Sequence, residues 1–191
     1  MKRLILKTYK AIPIIAIAIL SVHIHAETAI ASNQAFGENT PEFLQGMNTT
    51  QPWKTWIVAP VLTHHFDRQA VIDDDLNERN PGIGVERSNG LWHWMLGAYR
   101  NSIRQNSVYA QLGWTPLQWQ FSESGNLSLG AAAGLLTGYQ NTEKGYPVVP
   151  AGGFLASLET PYHFGMNLFI VPSVKAFQVE GFVALQIKAH F

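Results

Sequence analysis

Apolar and polar side chains alternate along most of the chain from Lys54 onward, and the alternation is strictest at its end. Across Gly181 to Phe191, Val183, Leu185, Ile187, Ala189 and Phe191 point one way, while Ala184, Gln186, Lys188 and His190 point the other. Successive strand side chains point to opposite faces, so this pattern gives a strand with one apolar and one polar face. Comparable runs, separated by turn residues, are placed at Lys54 to Phe66, Pro81 to Arg87, Leu91 to Arg100, Ser107 to Trp119, Leu127 to Tyr139, Val149 to Glu159 and Met166 to Pro172. With the last strand that makes eight, an even number of the kind found in single-chain bacterial barrels. The expected fold is therefore all-β: an eight-stranded antiparallel transmembrane β-barrel over residues 54–191, with lipid outside and polar side chains in the lumen.

The other end of the chain supports export. Lys2, Arg3, Lys7 and Lys10 precede an apolar run from Ala11 to Val22 that closes near Ala26, which reads as a cleavable signal peptide over 1–26, cut after Ala26 or after Ala31. The run is short of the ~20 residues that a membrane helix needs. Residues 27–53 read as a periplasmic lead-in with a short helix near Pro41 to Met47. Since no later segment is apolar enough for a membrane helix, a membrane destination has to be reached by strands, and only a closed barrel satisfies every backbone group in lipid. Charged residues make up 14% of the chain, below the ~25% of a typical soluble domain. Six Trp, six Tyr and ten Phe suit aromatic girdles, and the Trp residues, Trp53, Trp56, Trp92, Trp94, Trp114 and Trp119, fall near strand ends. Equal numbers of basic and acidic residues give no basic excess for nucleic acid, and the absence of Cys excludes disulfides and thiolate metal sites.

Loop lengths orient the barrel. If the exported N-terminus begins in the periplasm, the long connections Asp67 to Asn80, Asn101 to Asn106, Gln140 to Val148 and Ser173 to Glu180 lie outside, and the short ones lie inside. The last strand then ends in the periplasm at Phe191, where a C-terminal aromatic serves as the signal for barrel insertion. This direction brings His65, Asn101 and Ser102 to one extracellular rim. An imidazole, an amide and a hydroxyl gathered there suit acid/base or acyl-transfer chemistry, although rims are polar in any case.

The order of several short motifs is similar to that of a known family. Pro60 through His64 and His65, then Asn77 to Gly82, Tyr99 to Ser102, Leu112-Gly113-Trp114, and Ile170-Val171-Pro172 leading to Phe191 resemble the outer-membrane lipid A palmitoyltransferases (the PagP family) over about 56–191. The resemblance implies an outer-membrane acyltransferase that moves a palmitoyl chain from a phospholipid donor to a lipid A acceptor as a monomer, with no metal or other cofactor. By the family's spacing the catalytic His is His65, five positions after Pro60, and the reactive pair falls on Asn101 and Ser102. The family has Asp where this chain has Asn101. An amide cannot serve as a base, so the resemblance implies either a purely positional role there, a substitute among Asp67 and Asp73 to Asp75, or a non-catalytic outer-membrane barrel that alters surface properties. A third reading is a soluble periplasmic barrel that binds an apolar ligand.

The same resemblance places the floor of an acyl-chain pocket at Gly113, sized for a palmitoyl chain. Independently, Ser128, Gly130, Ala132, Gly134 and Leu136 give the fifth strand a face of mostly small residues, suited to a lumen cavity or to close backbone packing. Proline lacks the N–H that a ladder requires. Pro60 with Pro81, and Pro147 or Pro150 with Pro172, therefore mark either lateral openings for lipid, as the family uses, or simply strand ends.

Overall fold

The computed structural model describes residues 51–123, 125–140, 146–173 and 181–190. The expected signal peptide, the helix near Pro41 and Phe191 lie outside the described residues. Eight strands form a closed antiparallel barrel in simple sequence order: β1 (Lys54–His65), β2 (Gly82–Ser88), β3 (Trp92–Arg100), β4 (Asn106–Gln120), β5 (Asn126–Thr137), β6 (Val148–Glu159), β7 (Phe164–Val171) and β8 (Phe182–His190). Pairing of β1 with β8 completes the cylinder. β1, β3, β5 and β7 end at one end of the barrel, the distal end, and β2, β4, β6 and β8 end at the other, the proximal end. The first distal connection holds one element absent from the sequence reading, helix α1 (Arg68–Asp73), whose first turn is capped by the Asp67 carboxylate accepting from the Gln69 and Ala70 amides.

The barrel is inverted relative to a water-soluble domain. Among the described residues, buried polar side chains outnumber buried apolar ones, while Ile83, Trp94, Leu96, Phe154, Phe164 and Ile187 each stand more than half exposed on the outer wall. A buried polar interior combined with a large exposed apolar surface is the informative departure from ordinary globular burial. Trp56 departs from the expected girdle: it is 1% exposed and donates its indole N–H to Ser88 Oγ at 3.1 Å inside the lumen. The other tryptophans are partly or largely exposed.

The lumen has two layers. In the proximal layer two lysines face two glutamates. Lys188 Nζ donates to Glu86 Oε1 at 2.9 Å, to Glu159 Oε1 at 3.3 Å and to Ser157 Oγ at 2.9 Å, and Lys54 reaches Glu159 Oε2 at 3.2 Å. His93 bridges Glu86 and Thr115, with both contacts at 2.8 Å, and Asn167 donates to Glu86 Oε2. Buried charges are tolerable when paired and hydrogen-bonded in this way. Above lies an apolar layer of Met95, Tyr109, Ala132, Leu155 and Phe169. Gly113 sits at the boundary: a Cβ there would lie 2.7 Å from Leu155 Cδ2 and 3.1 Å from His93 Cβ. The small face of β5 does point inward, with Ser128 and Ala132 buried.

Two of the ladders stop short towards the distal end. Pairing of β1 with β2 runs from Lys54↔Ser88 to Val58↔Gly84 and then breaks, resuming only as the single bridge Leu62↔Arg79. Pro60 and Pro81 flank that break. Pairing of β6 with β7 ends at Phe154↔Ile170, although β6 continues beside β5 as far as Val148. Pro150 lies in this part of β6, and Pro172 follows the end of β7. Each ladder bond left unmade forgoes about 1 kcal/mol, so these are the weakest seams of the wall.

Candidate active site

The position of His65 is decided by a bulge. In β1, Trp56, Val58 and Pro60 face inward; a regular strand would then turn Leu62 and His64 inward as well. The register against β8 instead shifts by one between Pro60 and Leu62, an extra residue that exchanges the two faces. Thr63 and His65 consequently point inward and His64 points out; His65 is 5% exposed. Of the two neighbouring imidazoles, His65 is the one that faces the lumen.

Ser102 approaches from the β3–β4 connection. Its Oγ lies 3.3 Å from His65 Nε2, joining residues far apart in sequence. On the other side of the imidazole, Nδ1 is buried without a hydrogen-bond partner, and the Glu78 carboxylate stands 3.7 Å away, beyond hydrogen-bond range but close enough to act as a charge. Glu78 is held in place rather than free. Its Oε1 accepts the His65 backbone N–H at 3.0 Å, and Arg68 clamps both carboxylate oxygens at 2.5 and 3.1 Å. That hydrogen-bonded guanidinium holds the Glu78 carboxyl at about 2, well below the usual carboxylate range.

Asn101 serves a different purpose from its neighbour. It is fully buried, its Oδ1 accepts from the Ile103 and Gln105 amides at 3.1 and 2.8 Å, and its Nδ2 donates to Ser107 Oγ and to Gly138 O, both at 3.0 Å. Gly138 has φ 87°, the left-handed backbone that glycine favours, and this turns its carbonyl towards the amide. An aspartate would keep the two accepted bonds and lose the donor that Gly138 O requires. Asn101 is therefore suited to its own surroundings: it pins the turn that presents Ser102.

No protein-family model matches this chain, and no curated protein matches it significantly. The site accordingly rests on its own geometry. The candidates for a substitute carboxylate do not reach His65: Asp67 caps α1, Asp73 accepts from Gln69 and Asp75 pairs with Arg104 at 3.0 Å. The carboxylate beside His65 is Glu78, which the sequence reading placed within a motif without giving it a role. Only the fold brings it there, through Thr63 N–H donating to Glu78 O at 2.9 Å across the break between β1 and β2. Asn80 fastens the same corner, accepting from Thr63 Oγ1 at 2.6 Å and donating to Arg100 O at 3.0 Å. Gly113 lies deeper in the barrel, and Pro60, Pro81 and Pro172 border the two interrupted seams, so these positions surround the site without joining the Ser102, His65 and Glu78 array. A concavity of about 360 Å³ on the outer wall, lined by Ile57, Phe164 and Ile187 among others, belongs to the exposed apolar surface and not to this site.

Proposed function

We propose that this protein is an outer-membrane acyltransferase of the lipid A palmitoyltransferase type, made with a cleavable signal peptide and working at the outer leaflet. The observation that carries the proposal is the contact of Ser102 Oγ with His65 Nε2 at 3.3 Å, with a clamped carboxylate behind the imidazole, on a barrel whose wall is apolar and interrupted. A hydroxyl, an imidazole that accepts its proton and a carboxylate that favours the resulting cation form a recurrent arrangement for acyl transfer.

In the proposed reaction His65 Nε2 takes the Ser102 proton as Oγ attacks the ester carbonyl of a phospholipid. The acyl–oxygen bond of the donor breaks, and the lysophospholipid alkoxide leaves with the proton that His65 held. An acceptor hydroxyl on a lipid A acyl chain then gives its proton to His65 and attacks the acyl-serine, which restores the Ser102 hydroxyl. Glu78 steadies the imidazolium in both halves. The transferred chain enters through the break beside Pro60 and Pro81 or the one beside Pro172, and lies in the apolar upper lumen above Gly113. Met95 and Leu155 are the side chains that must turn aside, and methionine does so at little cost.

The test is mass spectrometry of lipid A from an acyltransferase-deficient Gram-negative host that expresses the protein in its outer membrane. The expected result is a mass gain of one palmitoyl group, abolished by Ser102→Ala while the barrel still inserts. No gain from a correctly inserted wild-type barrel would sink the enzyme and favour the second reading, a non-catalytic surface barrel. That reading draws on Asn101, whose hydrogen bonds are all spent on structure.

A further inference from the structure

At the distal rim, beside the proposed catalytic pair, Asn77, Arg79, Pro81, Arg100 and Arg104 line a groove of about 300 Å³. Its charge is unbalanced. Arg104 is committed to Asp75, through Oδ1 at 3.0 Å and the backbone carbonyl. Among the described residues Arg79 and Arg100 have no side-chain hydrogen bond or carboxylate partner, and both are exposed. Glu78 is held by Arg68 and turned towards His65. Two guanidinium groups thus line one concavity with no carboxylate among the described residues paired to them.

The walls are pre-set. The side chain of Asn77 accepts from the Arg79 amide at 3.2 Å and donates to the Arg79 carbonyl, a turn that fixes the start of that side chain. Arg100 ends β3 with its amide on Pro81 O at 3.0 Å. The Asn77 amide donates to Ser102 O at 2.7 Å, so the groove and the proposed nucleophile share a backbone contact.

We propose that this groove binds a phosphate monoester on the sugar headgroup of the lipid A acceptor. The inference rests on the acyltransferase reading for its choice of lipid. Planar guanidinium forks match phosphate oxygens in pairs. A monoester carries about −1.5 to −2 near neutrality, against a single charge on a phospholipid diester, and so answers two free arginines better. Holding the headgroup here sets the acceptor's acyl chains over the break between β1 and β2, next to Ser102.

The test measures binding without turnover, by native mass spectrometry of the intact barrel in detergent titrated with bisphosphorylated lipid A, the same lipid A stripped of phosphate, phosphatidylglycerol and inorganic phosphate. Bisphosphorylated lipid A should bind at least about tenfold more tightly than the stripped form, with a preference that weakens as salt rises. Arg79→Gln with Arg100→Gln should abolish that preference, and the matching Lys pair should restore part of it, which separates lost charge from lost fold. Equal binding of the stripped lipid, or an unchanged preference in the Gln pair, would overturn the proposal. Phosphatidylglycerol binding as tightly as lipid A, or inorganic phosphate displacing lipid A at equal concentration, would overturn the choice of acceptor phosphate. Phosphate-dependent binding by a barrel that transfers no acyl chain would remove the enzyme and leave the groove; transfer indifferent to the phosphates would do the reverse.

Discussion

In the proposed acyl transfer, Glu78 is the residue on which the chemistry of the site turns. It is not adjacent to His65 or Ser102 in sequence, and four aspartates in the same connection compete for notice, so periodicity could not single it out. The structure does so by using Arg68 to aim it. Glu78→Gln keeps the shape and removes the charge; in the acyl-transfer assay it is expected to lower kcat by roughly a hundredfold with KM little changed. A kcat within twofold of wild type would show that His65 works without its carboxylate. The sign of the pH effect follows from the depressed carboxyl. Because Glu78 titrates at about 2 in the folded barrel, its pairing with Arg68 is fully present above the ordinary carboxylate value and is lost only as pH falls towards 2. Carbon-detected NMR of the labelled carboxyl should therefore show no titration between neutrality and about pH 4. A midpoint near 4.3, the ordinary Glu value, would mean that the clamp does not hold in solution.

At the scale of elements, the strands were the legible part. Each of the eight observed strands overlaps a run read from period-two alternation, because a wall with unlike faces imposes that period on every strand. What alternation does not reveal is where a strand inserts an extra residue. Pro60 marked irregularity in β1; Pro116, which the sequence reading did not single out, lies in β4 where the register against β5 also slips between Trp114 and Leu117. A proline permits a bulge without requiring one, so the exchange of faces that selects His65 was visible only in the register. Trp56 was misplaced for a related reason: it lies near a strand end, and its lumen-facing parity went uncounted. Helix α1 escaped because six residues are too few to show a 3.6-residue period. The interrupted seams carry a prediction of their own. In amide hydrogen exchange in detergent, Ala59 and Val61 in β1 and the Ala151 and Gly152 region of β6 should exchange at least about tenfold faster than Trp56 to Val58. Uniform protection along β1 and β6 would show that the wall is continuous there and would remove the lateral route from the proposed reaction.

For the whole molecule, the division of the lumen into a charged proximal layer and an apolar distal layer separates stability from action. The proximal layer ties six strands together through Lys54, Glu86, His93, Glu159, Asn167 and Lys188, while the distal layer holds the breaks and the candidate site. Removing one charge should therefore harm the fold more than the chemistry. Lys188→Met leaves two buried carboxylates short of their shared cation, and is expected to cost about 3 to 5 kcal/mol in a urea unfolding titration in detergent micelles. A loss below about 1 kcal/mol would place the stability elsewhere, in the ladders or in the apolar layer. The charged layer also bears on what the cylinder lets through. Its ions are spent on one another and an apolar storey lies above them, so on the proposed reading a membrane could carry many copies of the barrel and keep its resistance to small ions while acyl chains pass sideways through the wall.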